Sequence, residues 1–116
     1  MGYQNLRVYQ QAQALFPIIY KLVRKWPEKD QRELGSQIIR AANSVHSNIA
    51  EGYGRNSAKE FKRYLGNSLA SCDEIISHLT DAKNVELLQQ DQFDNLFSEY
   101  TAVGKQLFRL RENWKR

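Results

Sequence analysis

Residues Asn48 to Phe61 read NIAEGYGRNSAKEF, and two glycines, a serine and an arginine stand there between two strongly periodic segments. A phosphate-cradling loop would need a P-loop lysine, or a GxGxxG pattern following a strand. Neither is present. A helical corner accounts for the same residues. Gly52 falls where a helix C-terminus favours a residue able to take positive φ, and Gly54 can serve the turn in the same way. Ser57 and Glu60 form S-x-x-E, a capping box in which the hydroxyl accepts from the Glu60 amide and the carboxylate reaches back to the Ser57 amide.

Outward from this corner the apolar spacing is helical throughout. Leu6, Tyr9, Ala12, Leu15, Phe16, Ile19, Leu22, Val23 and Trp26 trace one face of a first helix, with gaps of three and four. Pro17 lies inside it and predicts a kink, because the stripe keeps its phase across the proline. Pro27 supplies a stop. A second helix is expected from Asp30, with Glu33 as its capping partner, and carries Leu34, Ile38, Ala41, Ala42, Val45 and Ile49. Its small residues Ala41, Ala42, Ser44, Ser47 and Ala50 permit a close neighbour. The third runs from Ser57 through Phe61, Tyr64, Leu65, Ser68, Cys72, Ile75, Ile76 and Leu79. The fourth, from about Asp91, carries Phe93, Leu96, Phe97, Tyr100, Val103, Leu107, Leu110 and Trp114. No strand-like alternation of any length occurs. Four long amphipathic helices with short links predict an all-α, antiparallel up-down-up-down four-helix bundle spanning residues 1–116 as one domain.

Bulk composition narrows the function classes. A chain of 116 residues with 41% hydrophobic and 26% charged residues suits one globular domain. No apolar run approaches the ~20 residues of a membrane span, and the first residues lack the apolar centre of a secretory signal. The single cysteine, Cys72, has no intrachain partner, so a reducing cytoplasm is the expected compartment. Cys72 lies in an apolar stripe, as a small hydrophobe would. Of the two histidines, His78 stands four residues after Glu74, but no second such pair exists to complete a di-metal bundle site. The expectation is no enzyme, no metal and no cofactor.

The stretch QIIRAANSVHSNIAEGYGRNSAKEFKRYLGNSLASCDE, residues 37 to 74, resembles the signature of the bacterial four-helix bundle protein family, and the likeness runs from Leu6 to the last helix, densest between Gln37 and Glu74. That family includes proteins encoded in intervening sequences of the large ribosomal RNA gene. It is similar to the accessory variability determinant of diversity-generating retroelements. The match is carried by Gln37, Arg40, Ala41, Ala42, the run Asn48 to Gly52, Gly54, Arg55, Ser57, Glu60, Phe61 and Glu74. Departures include Tyr9 where tryptophan is usual, Ile39 for arginine and His46 for proline. The resemblance implies a non-enzymatic bundle that assembles as a homopentamer. For the retroelement relatives it implies a surface suited to nucleic acid and a reverse transcriptase as partner.

Charge distribution bears on that implication. Bundle topology brings residues 1–13, 41–67 and 105–116 to one end, with ten basic and three acidic residues, or +7. The remainder carries seven basic and ten acidic residues, or −3, which together return the net +4. Candidate nucleic-acid contacts at the basic end are Arg55, Lys59, Lys62, Arg63, Lys105, Arg109, Arg111 and Arg116, with Tyr53 and Tyr64 as aromatics able to stack on bases. The alternative is a solvated face with Tyr64 in the core, on a scaffold that recognises itself and a protein partner. Arg40, Glu51 and Glu74 are candidate ion-pairing residues within or between subunits. Gly66 and Gly104, inside helices, are expected to mark close helix or subunit approaches.

Overall fold

The computed structural model describes residues 2–115. After a 3-10 turn at Tyr3–Asn5, four long helices follow: α1 (Arg7–Arg24), α2 (Ser36–Tyr53), α3 (Ala58–Asn84) and α4 (Gln90–Asn113). They form a bundle of 45 × 22 × 20 Å. The all-α four-helix fold expected from the periodicity is the fold observed.

The stripes read from the sequence become the core. Ile19 from α1, Ile38 and Ile49 from α2, Leu65, Ile75 and Leu79 from α3, and Tyr100 and Leu107 from α4 are all but fully buried. Burying a side chain of this kind contributes about 1.5–3 kcal/mol. The exception is Phe97, assigned by spacing to the α4 stripe but 44% exposed. The buried Leu96, Tyr100, Val103 and Leu107 fall within about 60° of one another around α4, and Phe97 lies about 90° from the centre of that sector.

α1 runs unbroken through Pro17 and ends before Trp26 and Pro27. The expected start of the second helix is corrected. Asp30 already has helical backbone (φ −68°, ψ −33°) and caps nothing through its side chain. Pro27, extended at φ −54° and ψ 149°, precedes a helical turn at Glu28–Asp30, which passes into a π-helical segment at Gln31–Gly35 before α2. The Gln31 side-chain amide donates to the Trp26 carbonyl (2.7 Å) and the Arg24 carbonyl (3.2 Å), holding this corner closed.

The α2–α3 seam is closely packed. The Ser68 hydroxyl, fully buried, donates to the Val45 carbonyl at 2.6 Å. Ser71 donates to the Ser44 hydroxyl at 2.9 Å. The small-residue face of α2 serves the close approach its composition predicted. Gly52 belongs to that face, and its expected positive φ is corrected: it is a buried helical residue, and a Cβ there would strike Tyr64 Cβ and crowd the Phe61 ring. Gly54 caps α2 at φ −75°, also an ordinary right-handed conformation. Among the described residues the left-handed backbone belongs instead to Glu86 (φ 66°), in the α3–α4 turn.

Ser57 caps α3 as expected, accepting from the Glu60 amide at 3.0 Å. The reciprocal half of the box does not form, because the Glu60 carboxylate turns to Arg63 (3.0 Å). α4 opens one residue before Asp91, with Gln92 Oε1 accepting from the Gln89 amide. Gln11 and Gln106 join α1 to α4 by a side-chain hydrogen bond. Among the described residues no helix is long and apolar enough to cross a membrane.

Candidate nucleic-acid interface

The antiparallel topology brings three distant parts of the chain together. Arg7, near the start of α1, and Arg109, near the end of α4, line one open groove with Leu6 and Leu110. Trp114 packs edge-on against Phe61 (4.7 Å between centroids) and lies 6.1 Å from Tyr53, beside the α2–α3 corner. Tyr53, Arg55, Asn56, Ser57 and Trp114 surround a shallow hollow of about 480 Å³. Arg111 crosses from α4 to α3, its Nη1 3.3 Å from where a Gly66 Cβ would stand. The neighbour at Gly66 is the tip of a flexible side chain, not a closely packed helix backbone.

The corner cations are not equivalent. Arg55 donates to the Glu51 carboxylate (2.7 Å) and to the Tyr64 hydroxyl (2.9 Å), with its guanidinium 5.2 Å from the Tyr64 ring centroid. Arg63 lies 4.6 Å from the same centroid and pairs with Glu60. The hydrogen bond from Arg63, with its positive charge, holds the Glu60 carboxyl below the usual carboxylate range. The same bond raises the Arg63 guanidinium above its already high value. Both groups face water, so each pair contributes little to stability. The result is a cluster of Glu51, Arg55, Tyr64, Arg63 and Glu60 in which two positive charges meet two negative ones.

Neither sequence reading of Tyr64 anticipated this arrangement. The ring is half-buried, and two guanidinium groups already occupy the places where a base would stack. Tyr53 is likewise engaged, edge-on to Phe61 at 5.6 Å. The signal available in the sequence was the spacing of the carboxylates, i, i+4 for Glu51 and Arg55 and i, i+3 for Glu60 and Arg63.

The other candidates divide by position. Lys59 and Lys62, one turn into α3, are in no ion pair among the described residues; neither are Arg7 and Lys115. Lys105 and Arg109, also without one, lie on the flank of α4, with Lys105 about 12 Å short of the helix end. Arg111 approaches Glu112 at 3.8 Å. Arg116 lies outside the described residues.

Of the candidate ion-pairing residues, Glu51 pairs with Arg55, and Glu74 lies 3.3 Å from His78 Nε2. Arg40 is exposed and forms no ion pair among the described residues. Glu74 and His78 gather no third ligand among the described residues. Cys72 is 2% exposed, and burial raises its thiol to about 12, leaving it protonated at neutral pH. A thiol in that state is a poor nucleophile.

The 23S rRNA-intervening sequence protein family matches residues 4–109 of this sequence. The chain belongs to that family. The resemblance read from Leu6 to the last helix is the one the match shows. Among solved structures, the fold is similar to a crystal structure from Bacteroides thetaiotaomicron, described as a protein of unknown function from the S23 ribosomal protein family. The two superpose with a TM-score of 0.83 at 21% identity, over 91% of this chain and 99% of that one. No curated protein matches the chain. For this member of the intervening-sequence family the comparisons supply a fold and a lineage, and the chemistry rests on the side chains.

Proposed function

We propose that the protein is a non-enzymatic, self-associating bundle that binds RNA or DNA through the cations at the α2–α3 corner and the adjoining helix ends. The observation that carries this reading is the difference in pairing. Arg55 and Arg63 are neutralised and fixed by Glu51 and Glu60, while Lys59, Lys62, Arg7 and Lys115 carry charge with no carboxylate partner among the described residues. Lysines without a carboxylate partner suit phosphate better than bases, so the mechanism is counterion release with little sequence readout. Several copies in one particle multiply weak phosphate contacts into useful avidity. A homopentamer, the assembly implied by the family resemblance, is one such particle. An accessory role beside a larger nucleic-acid enzyme, such as a reverse transcriptase, is the setting this chemistry fits.

The test is fluorescence anisotropy of a structured RNA and a duplex DNA across a salt series, with Lys59, Lys62 and Arg63 all changed to glutamate as the comparison. Affinity is expected to fall steeply with salt and to be lost in the triple variant. Absence of binding at low salt returns the protein to the alternative reading, a scaffold for a protein partner.

A further inference from the structure

The hollow at the α2–α3 corner has aromatic walls and a polar rim. Phe61, 2% exposed, forms its floor. Tyr53 and Trp114, both half-buried, stand edge-on to Phe61 and lie 6.1 Å from each other. Trp114 is placed there from beyond the end of α4, on extended backbone at φ −74° and ψ 123°. With about 480 Å³ open beside it, the indole is only partly spent on the core. Arg55, Asn56 and Ser57 complete the lining. A hollow of this size falls in the range of small-ligand sites.

The contacts of Arg55 leave it with donors to give. A guanidinium carries more N–H groups than its two bonds use here. Glu51 and Tyr64 are both reached through Nη2, so the Nε and Nη1 hydrogens stay uncommitted. Those bonds also hold the guanidinium in place, which lowers the ordering cost of a further one. Asn56 is exposed, and its carboxamide both donates and accepts. Lys115 follows Trp114, and Lys59 stands in the first turn of α3. Neither is in an ion pair among the described residues. The nearby carboxylates, Glu51 and Glu60, are held by Arg55 and Arg63.

Other ligands suited to aromatic walls do not fit this rim. A quaternary or methylated ammonium would meet Arg55 and Lys115 as like charges. A wholly aliphatic group would cover the rim's donors without partnering them. A nucleotide matches each part. It brings a π-face for Trp114, a base edge for Asn56 and Arg55, and a phosphate for Lys59 or Lys115. A base inside a duplex has its faces stacked and its edge paired, so only an unpaired one can enter.

We propose that this hollow captures one unpaired nucleobase, from a bulge, loop or free end, stacked on Trp114 and hydrogen-bonded at its edge by Asn56 and Arg55. The inference rests on the nucleic-acid reading above and adds to it a preference for unpaired nucleotides over continuous duplex. Stacking tolerates any base, so the preference is for structure more than for sequence.

The experiment compares two RNA hairpins, identical except for a single-nucleotide bulge, by anisotropy with the full chain at one salt concentration. Tryptophan emission is the second readout, with Trp26→Phe leaving Trp114 as the reporter. The bulged hairpin is expected to bind about tenfold more tightly and to quench that emission, and the unbulged one to bind without quenching. Trp114→Leu keeps an apolar contact on Phe61 and is expected to lose the preference while still binding the unbulged hairpin. Circular dichroism verifies its fold. Asn56→Asp, at an exposed position outside the core, is expected to lower the ratio of the two affinities with no cost to folding. Equal affinity for the two hairpins, or a preference that survives either substitution, would overturn this proposal and leave the electrostatic reading in place. Binding of neither hairpin at low salt would overturn both.

Discussion

Gly52 and Gly104 both lie inside long helices, where glycine costs about 1 kcal/mol relative to alanine. At Gly52 the reason stands within the chain: α3 passes so closely that a Cβ would meet Tyr64 and Phe61. At Gly104 the surroundings are empty. The same residue type marks a packed seam in one place and an open face in the other. A helical glycine with no neighbour is thus a clue to something beyond the chain, while one with a crowded neighbour is spent on its own fold.

The first way to break this comparison is Gly52→Ala. Overpacking the α2–α3 seam is expected to lower unfolding free energy by about 1–3 kcal/mol, read from urea denaturation midpoints at constant slope. An unshifted midpoint would mean that the seam has slack. Gly104→Ala is expected to act in the opposite sense and raise the intrinsic stability of the chain by about 0.4–1 kcal/mol. This is read from the same urea denaturation midpoints. A loss of stability there would place a contact against Gly104 inside the chain after all.

The smallest effect concerns the other side of α2. His46 faces α1, with its ring edge-on to Tyr9 at 5.9 Å and Phe16 at 5.8 Å. Burial lowers its pKa, partly offset by the Ala42 carbonyl. The unfolded chain takes up a proton near the ordinary imidazole value of about 6.5, while the folded chain resists it to lower pH. Stability from this group is therefore fully present above that value and is lost as pH falls toward the folded one. His46→Gln is expected to flatten the stability profile between neutral and mildly acidic pH. Parallel profiles for the two proteins would show that His46 is solvated in both states.

Most of the fold was legible because buried residues recur at helical spacing, and Ile19, Ile49, Leu65 and Leu107 sit where that spacing put them. What the sequence hid has specific causes. A glycine serves either backbone freedom or close approach, and the letter alone does not distinguish them, so Gly52 was misread. The π-helical segment at Gln31–Gly35 adds a residue without disturbing the polar and apolar pattern around it. Phe97 stands at helical spacing from Phe93 and Tyr100 but beyond the sector that the buried residues of α4 share, and the spacing of neighbours alone does not show where that sector ends. At the candidate interface the residue types were legible, but not their pairing. Tyr64 receives Arg55 from nine positions away, across a corner whose path the sequence does not specify.

That tyrosine also has a mechanical consequence. Arg55 reaches it from the turn and Arg63 from its own helix, so the short link between α2 and α3 is braced at its midpoint. With Ser57 fastening the start of α3, the link has little freedom to bend as a hinge. α2 and α3 are thereby joined at the corner by side chains from both sides of the link, and the seam they share runs on from there through Ser68 and Ser71.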